Sequence, residues 1–266
     1  MLCSIANAKP LSGLTQNATR ANIRKLAEKR GTGWEQGVVQ TASASQMLML
    51  IEYATFNMQS VIGNGAVSKT DDGKTSMTEN TGATITLGNA SGSVVNANGI
   101  QIVSYRGEEN FWGNIWKFVY GINIWGNGKM GGGQPYICSD FSFAESKNSG
   151  NYEPAGFTVT NANGYISAMG YSTACDWLFI ASECLGNSSL PVGDYTYITV
   201  NLNGYRIARL GGYWNVWDNA GGFCWALYSG VGNRSRSIGG RLVYIPTRDS
   251  ATYTAAIEAW KQKMAA

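Results

Sequence analysis

Apolar and polar residues alternate most clearly near the C-terminal end of the chain. From Phe223 to Tyr228, Phe223, Trp225 and Leu227 fall on one side and Cys224, Ala226 and Tyr228 on the other, the period of a half-buried strand. The same split sets Arg234, Arg236 and Ile238 against Ser235 and Ser237, and the run from Arg241 to Ile245 reads as a core strand. Helical spacing occurs in three places. Residues 17–30 place Ile23, Leu26 and Ala27 opposite Arg24, Lys25, Glu28 and Lys29, before Gly31 and Gly33 stop the helix. From about Ser43 to Gln59, Met47, Leu48, Leu50, Ile51, Ala54 and Phe56 cover most of a helix circumference, which predicts burial against a sheet. The end of the chain, Ser250 to Ala266, carries Ala256, Ile257, Trp260 and Met264 at helical spacing.

Between these segments the chain reads as short strands and glycine turns. Strands are expected at Ala83–Gly88, Ile100–Tyr105, Phe157–Thr160, within Gly164–Tyr171, at Asp176–Ala181 and at Gly193–Val200. Residues 64–99, rich in Gly, Ser, Thr and Asn, read as a long decorated loop rather than a linker between two cores. Trp112, Ile115, Trp116 and Phe118 are so closely spaced that a core is the default setting for them.

Composition sharpens this into an α+β class. The 266 residues include 34 glycines and only 14% charged residues, which suits short strands joined by tight turns. One main domain is expected at 41–246, preceded by a lead-in and helix at 1–40 and followed by a C-terminal helix at 247–266. A net charge of +3 is too small and too scattered to mark a nucleic-acid surface. No apolar run reaches membrane-spanning length, and no secretion-signal pattern opens the chain. The chain contains no histidine, which removes the commonest general base and the commonest zinc ligand. Its five cysteines show no C-x-x-C spacing; a bridge between Cys175 and Cys184 stays open. No cofactor and no metal are expected.

Three segments carry a resemblance. Gly113-Asn-Ile-Trp-Lys-Phe, Arg209-Leu-Gly-Gly-Tyr-Trp and Ile238-Gly-Gly-Arg-Leu occur in the order of the motifs of the C-type-lectin fold in its formylglycine-generating-enzyme-like branch. Residues 205–245 resemble still more closely the variable proteins of diversity-generating retroelements, many of them phage adhesins, whose domain ends read G-G-x-W, G-x-F-x-W-x-L and N-R-x-R-x-I-G-x-R-L. The matching letters here are Gly211, Gly212, Trp214, Gly221, Phe223, Trp225, Leu227, Asn233, Arg234, Arg236, Ile238, Gly239, Arg241 and Leu242.

The resemblance implies a C-type-lectin-like fold with short mixed strands, two N-terminal helices, long loops and a C-terminal helix. It implies a fixed frame and, over about 209–245, a diversified surface that binds a protein or glycan on a target cell. The frame would comprise Gly211, Gly212, Trp214, Phe223, Trp225, Leu227, Arg234, Arg236, Ile238, Gly239 and Arg241. The variable face would comprise Tyr213, Asn215, Val216, Trp217, Asp218, Cys224, Ala226, Tyr228, Ser229, Ser235 and Ser237. Most of that face is reachable from an Asn codon by changing adenines alone; Trp217 is not. The arginines, alternating with variable serines, are expected to bond loop carbonyls and carboxylates. A phage tail tip or fibre would be the location, and a trimer follows by analogy.

Three rival readings are weaker or less specific. The oxidase relatives need a cysteine pair, whereas Cys224 stands alone in the diagnostic region. Calcium-dependent sugar binding needs oxygen ligands after Trp214-Asn215 and Gln134-Pro135, where Val216 and Tyr136 stand instead. A fixed-specificity structural or fibre protein of a virion is the remaining alternative.

Overall fold

The computed structural model describes residues 5–13, 16–129, 132–146, 151–188, 193–199, 201–245 and 262. Mostly strand with few helices, it is of α+β class. The helices are α1 (Arg20–Glu28), α2 (Val39–Tyr53) and α3 (Met58–Val61). In the first half of the chain the strands are β1 (Trp34–Gln36), β2 (Gly92–Val95), β3 (Gln101–Tyr105), β4 (Glu108–Glu109), β5 (Trp116–Asn127) and β6 (Gln134–Cys138). The second half supplies β7 (Tyr152–Pro154), β8 (Gly164–Tyr165), β9 (Ala168–Met169), β10 (Ala181–Glu183), β11 (Tyr195–Thr196), β12 (Asn203–Leu210), β13 (Trp225–Ser229), β14 (Ile238–Gly239) and β15 (Leu242–Tyr244).

The longest strand, β5, is buried on both faces from Trp116 to Ile124, so its sequence is nearly continuous in apolar residues rather than alternating. It lies inside a sheet of order β13-β12-β5-β6-β7, antiparallel throughout, with β14 added in parallel through Ile238 opposite Trp116. A larger core includes Met49, Trp112, Val119, Ile122, Phe223, Trp225 and Leu227. A smaller one joins Ile23 and Ala27 of α1 to Trp116, Phe118, Ile207, Cys224 and Ala226. Pairing of β1 with β15, Trp34 opposite Tyr244, ties the two ends of the described chain together.

Helix α1 falls inside the expected 17–30, and the Thr19 hydroxyl accepts from Asn22 N as its N-cap. Arg20, fully buried, anchors it: the guanidinium donates to Val119 O, Ile122 O, Asn123 Oδ1 and Glu145, and lies 4.4 Å from the centre of the Tyr120 ring.

Several expectations are corrected. The single helix at 43–59 is two helices, because Ala54 adopts a left-handed φ of 52° that ends α2 and the Asn57 side chain caps α3. Nor is α2 wrapped in core: Val39, Ala42, Ser43, Gln46 and Met49 are buried, while Met47, Leu48 and Ile51 are exposed. Ala83–Gly88 holds a 3₁₀ turn, since the Glu109 carboxylate accepts from Gly82 N and Thr84 N and so takes donors that a strand would have given a neighbour. Phe157–Thr160 has no strand, and the described part of Gly193–Val200, to Thr199, holds β11 and an isolated bridge at Tyr197. Along Asp176–Ala181 the chain turns, Leu178 N donating to Cys175 O, and pairs only from Ala181. Cys175 and Cys184 are free thiols. The helix expected at Ser250–Ala266 lies outside the described residues, apart from Gln262.

Trp225 is fully buried, and its Nε1 donates to Phe179 O at 2.7 Å. Trp225→Ala removes this bond and leaves a cavity, so urea or thermal unfolding should show a loss of about 3–5 kcal/mol.

Candidate functional site

Two glycines turn the chain out of β12. Gly211 and Gly212 have φ of 95° and 79°, and a Cβ on Gly211 would stand 2.5 Å from Phe111 O, so no other residue fits there. Gly211 N donates to Cys224 O, and Gly113 N to Gly211 O. After this corner the chain sends consecutive aromatic side chains in different directions. Tyr213 stays half-exposed, whereas Trp214 is buried with the Arg236 guanidinium 5.7 Å from its ring centre. Trp217 then opens a 3₁₀ turn to Asn219 with its own φ at 49° and its side chain 56% exposed. That turn is held on two sides, by Trp217 N donating to Val67 O and by Asn219 Nδ2 donating to the Tyr197 hydroxyl at 3.0 Å.

Facing the turn is an aromatic wall. Tyr197 bridges β13, its N–H donating to Trp225 O while its own carbonyl accepts from Leu227 N. Its ring meets Trp116 edge-on at 5.8 Å and Tyr195 at 4.7 Å, and Tyr195 meets Tyr165 at 5.1 Å. Tyr213 lies 6.4 Å from Trp116, centre to centre. Between wall and turn is an open cleft of about 450 Å³, lined by Trp116, Tyr165, Tyr197, Tyr213, Asn215, Val216, Trp217, Asp218, Asn219 and Tyr228. Burial raises the hydroxyl pKa of Tyr165, Tyr197 and Tyr213, so the wall offers neutral phenols as hydrogen-bonding groups at neutral pH.

Tyr213, Asn215, Val216, Trp217, Asp218 and Tyr228, all proposed from sequence as ligand contacts, therefore line one cleft. Cys224, Ala226 and Ser229 do not. All three are buried, Cys224 and Ala226 in the smaller core with Trp116, Phe118 and Ile207, because the Tyr197 segment bridges β13 and packs on the side that alternation had assigned to solvent. Ser235 and Ser237 are half-buried outside the cleft, their hydroxyls 3.3 Å apart. Trp116, Tyr165, Tyr197 and Asn219 are cleft residues that the sequence reading missed. Trp116 had been assigned to core, and the two tyrosines come from strands distant in sequence; their alternation with apolar residues was the available signal.

Gly211, Gly212, Trp214, Phe223, Trp225, Leu227, Ile238 and Gly239 are buried. Arg236 pairs with Asp71 and Asp72 and donates to Thr75 O; Arg241 pairs with Glu108 and donates to Glu109 O and Asn110 O. Arg234 is exposed. Gly113 and Asn114 form a left-handed corner in which the Asn114 carboxamide accepts from Glu79 N and donates to Glu79 O.

Asp218 is the one carboxylate of the cleft lining, and no cluster of three or more His, Cys, Asp or Glu side chains that could hold a metal occurs among the described residues. Burial holds the Cys224 thiol well above its ordinary pKa, so it is no ready nucleophile. No protein-family model matches the chain, and no curated protein matches it.

Asp194 stands behind this wall, its Oδ2 accepting from Phe223 N at 2.6 Å, and burial pushes its carboxyl from the ordinary 3.8 up to about 8. The folded chain thus keeps a proton that the unfolded chain releases between about pH 4 and about pH 8, and stability falls as pH rises through that window. Asp194→Asn keeps an oxygen for Phe223 N–H and removes the titration. Melting temperatures from pH 4 to 8 should show a smaller decline in the variant; parallel curves would mean that Asp194 titrates normally.

Proposed function

We propose that the chain is a non-enzymatic receptor-binding protein that presents the cleft to a target-cell molecule, on a C-type-lectin-like scaffold of the kind found in diversity-generating-retroelement variable proteins. One observation carries this reading: six residues that the resemblance marks as ligand contacts line the same cleft. Trp217 and Tyr228 are exposed and Tyr213 half-exposed, giving aromatic contact area at low cost in side-chain entropy. Asn215, Asn219 and Asp218 add hydrogen-bonding groups at the rim. The absence of histidine and the buried, protonated Cys224 speak against an oxidase or hydrolase at this position. A phage tail tip or fibre suits such a protein, where several copies, three by analogy, would multiply a weak single-site affinity.

The burial of Cys224, Ala226 and Ser229 favours a second reading, an adhesin of fixed specificity. Substituting freely at core positions is costly, so a randomising mechanism aimed there would yield many unfolded products. The DNA flanking the gene separates the two. A second, near-identical copy of the stretch encoding Leu210 to Ile245, differing only at adenines, supports diversification; its absence supports fixed specificity.

Trp217→Ala with Tyr228→Ser should abolish adsorption to the target cell, and the exposed Trp217 change alone should move stability by no more than about 0.5 kcal/mol. Adsorption that survives the double substitution at unchanged melting temperature would move the binding site away from the cleft.

A further inference from the structure

Two arginines are buried in this fold, and only one is fully provided for. Arg20 is matched by carbonyls, an amide oxygen and a carboxylate. Arg209, on β12, is 3% exposed and interacts with the Tyr228 hydroxyl, yet its Nε and Nη2 have no hydrogen-bond partner. Among the described residues it makes no ion pair. Arginine cannot escape this situation by losing its proton, because its pKa is too high even when burial lowers it. A buried cation with unmet donors is unfavourable, and such a group calls for a counter-charge.

What holds Arg209 indicates where the counter-charge comes from. Its guanidinium carbon lies 5.4 Å from the centre of the Trp116 ring and 4.9 Å from that of Tyr228. Both rings line the cleft. Stacking on aromatic faces satisfies the plane of a guanidinium and leaves its edge free. Nε and Nη2 together form one such edge, the two-donor fork that matches the two oxygens of a carboxylate. Tyr228, 41% exposed, is the more accessible of the two covering rings, so it is the ring that would have to turn for a ligand in the cleft to reach that edge.

We propose that Arg209 is the anion-binding group of the cleft and that the ligand is an acidic saccharide whose carboxylate takes the Nε and Nη2 edge. This rests on the cleft being the receptor-binding site. A saccharide is favoured over a protein surface by size and lining: a concave cleft of about 450 Å³ walled by aromatic rings has the volume of a small-molecule site, about 300–1,000 Å³. The exposed ring of Trp217 and the half-exposed ring of Tyr213 suit the apolar face of a sugar, and Asn215 and Asn219 suit its hydroxyls.

The test is an array of neuraminate-, glucuronate- and galacturonate-terminated oligosaccharides, each beside its carboxyl methyl ester, probed with the full chain. At least one acid should bind, at least tenfold more tightly than its ester. Arg209→Met should remove that difference without lowering the melting temperature, since an apolar side chain replaces an unpaired buried charge; Arg209→Lys should keep part of it. The acid-to-ester comparison on the unaltered protein needs no variant to fold. Equal binding of acids and esters overturns the role of Arg209 and leaves the cleft as the site. Binding of glutamate-terminated peptides but no acidic saccharide overturns the ligand class. A blank array overturns the inference alone if Trp217→Ala with Tyr228→Ser still abolishes cell adsorption, and overturns the cleft reading too if adsorption persists.

Discussion

Strand β5 sets the terms for the rest of the molecule because it is buried on both faces. A strand in that position cannot turn a polar group to water, so each one must find a partner inside. Asn123 accepts from Arg20, and Lys117, its pKa pushed well down by burial and by Arg241, donates to Phe111 O and Gly113 O. The first of these partners comes from α1, which is thereby joined to the sheet by a bonded cation as well as by Ile23 and Ala27. The second fixes the Gly113–Asn114 corner, against which Gly211 closes. The cleft begins at that corner, so its geometry is inherited from the packing of β5.

Much of this frame is legible in residue types alone. Glycines at Gly211, Gly212 and Gly113 announce backbone that only glycine adopts cheaply, and Phe223, Trp225 and Leu227 announce a core face by size and period. Arg236 and Arg241 behave as expected for guanidinium groups among loop carbonyls and carboxylates. What period cannot reveal is whether the other side of a strand is covered. Cys224 and Ala226 alternate away from the core wall, yet a second layer lies over them, and their small size is the only trace of it in the sequence. Tyr165 and Tyr197 reach the cleft through pairings across long separations, which no local pattern encodes.

Helix α2 shows the same limit from the opposite direction. Its apolar residues cover most of the helix circumference, which predicts burial against a sheet; the side toward β5 is packed, while Met47, Leu48 and Ile51 meet solvent. Gln46, polar and fully buried on the packed side, donates to Gly222 O and so ties the helix to the segment leading into β13. Hydrophobicity alone misjudges both residues, because one is placed by a hydrogen bond and the other by the absence of a neighbour.

The cleft divides into a part that can vary and a part that cannot. From Tyr213 to Asp218 the chain pairs with no named strand, and its backbone is held by Lys69 N donating to Trp214 O, by Trp217 N donating to Val67 O and by the Gly211 corner. Exposed side chains on such a backbone can change with little effect on folding. Beneath them Cys224 and Ala226 fill a space bounded by Trp116, Phe118 and Ile207, where any added volume would force rings apart. On the proposed reading, recognition would be retuned at the turn, at Tyr228 and at the rim, while the buried Arg209 stays constant. A protein built this way would change the outline of the ligand it prefers and still keep one demand on its chemistry.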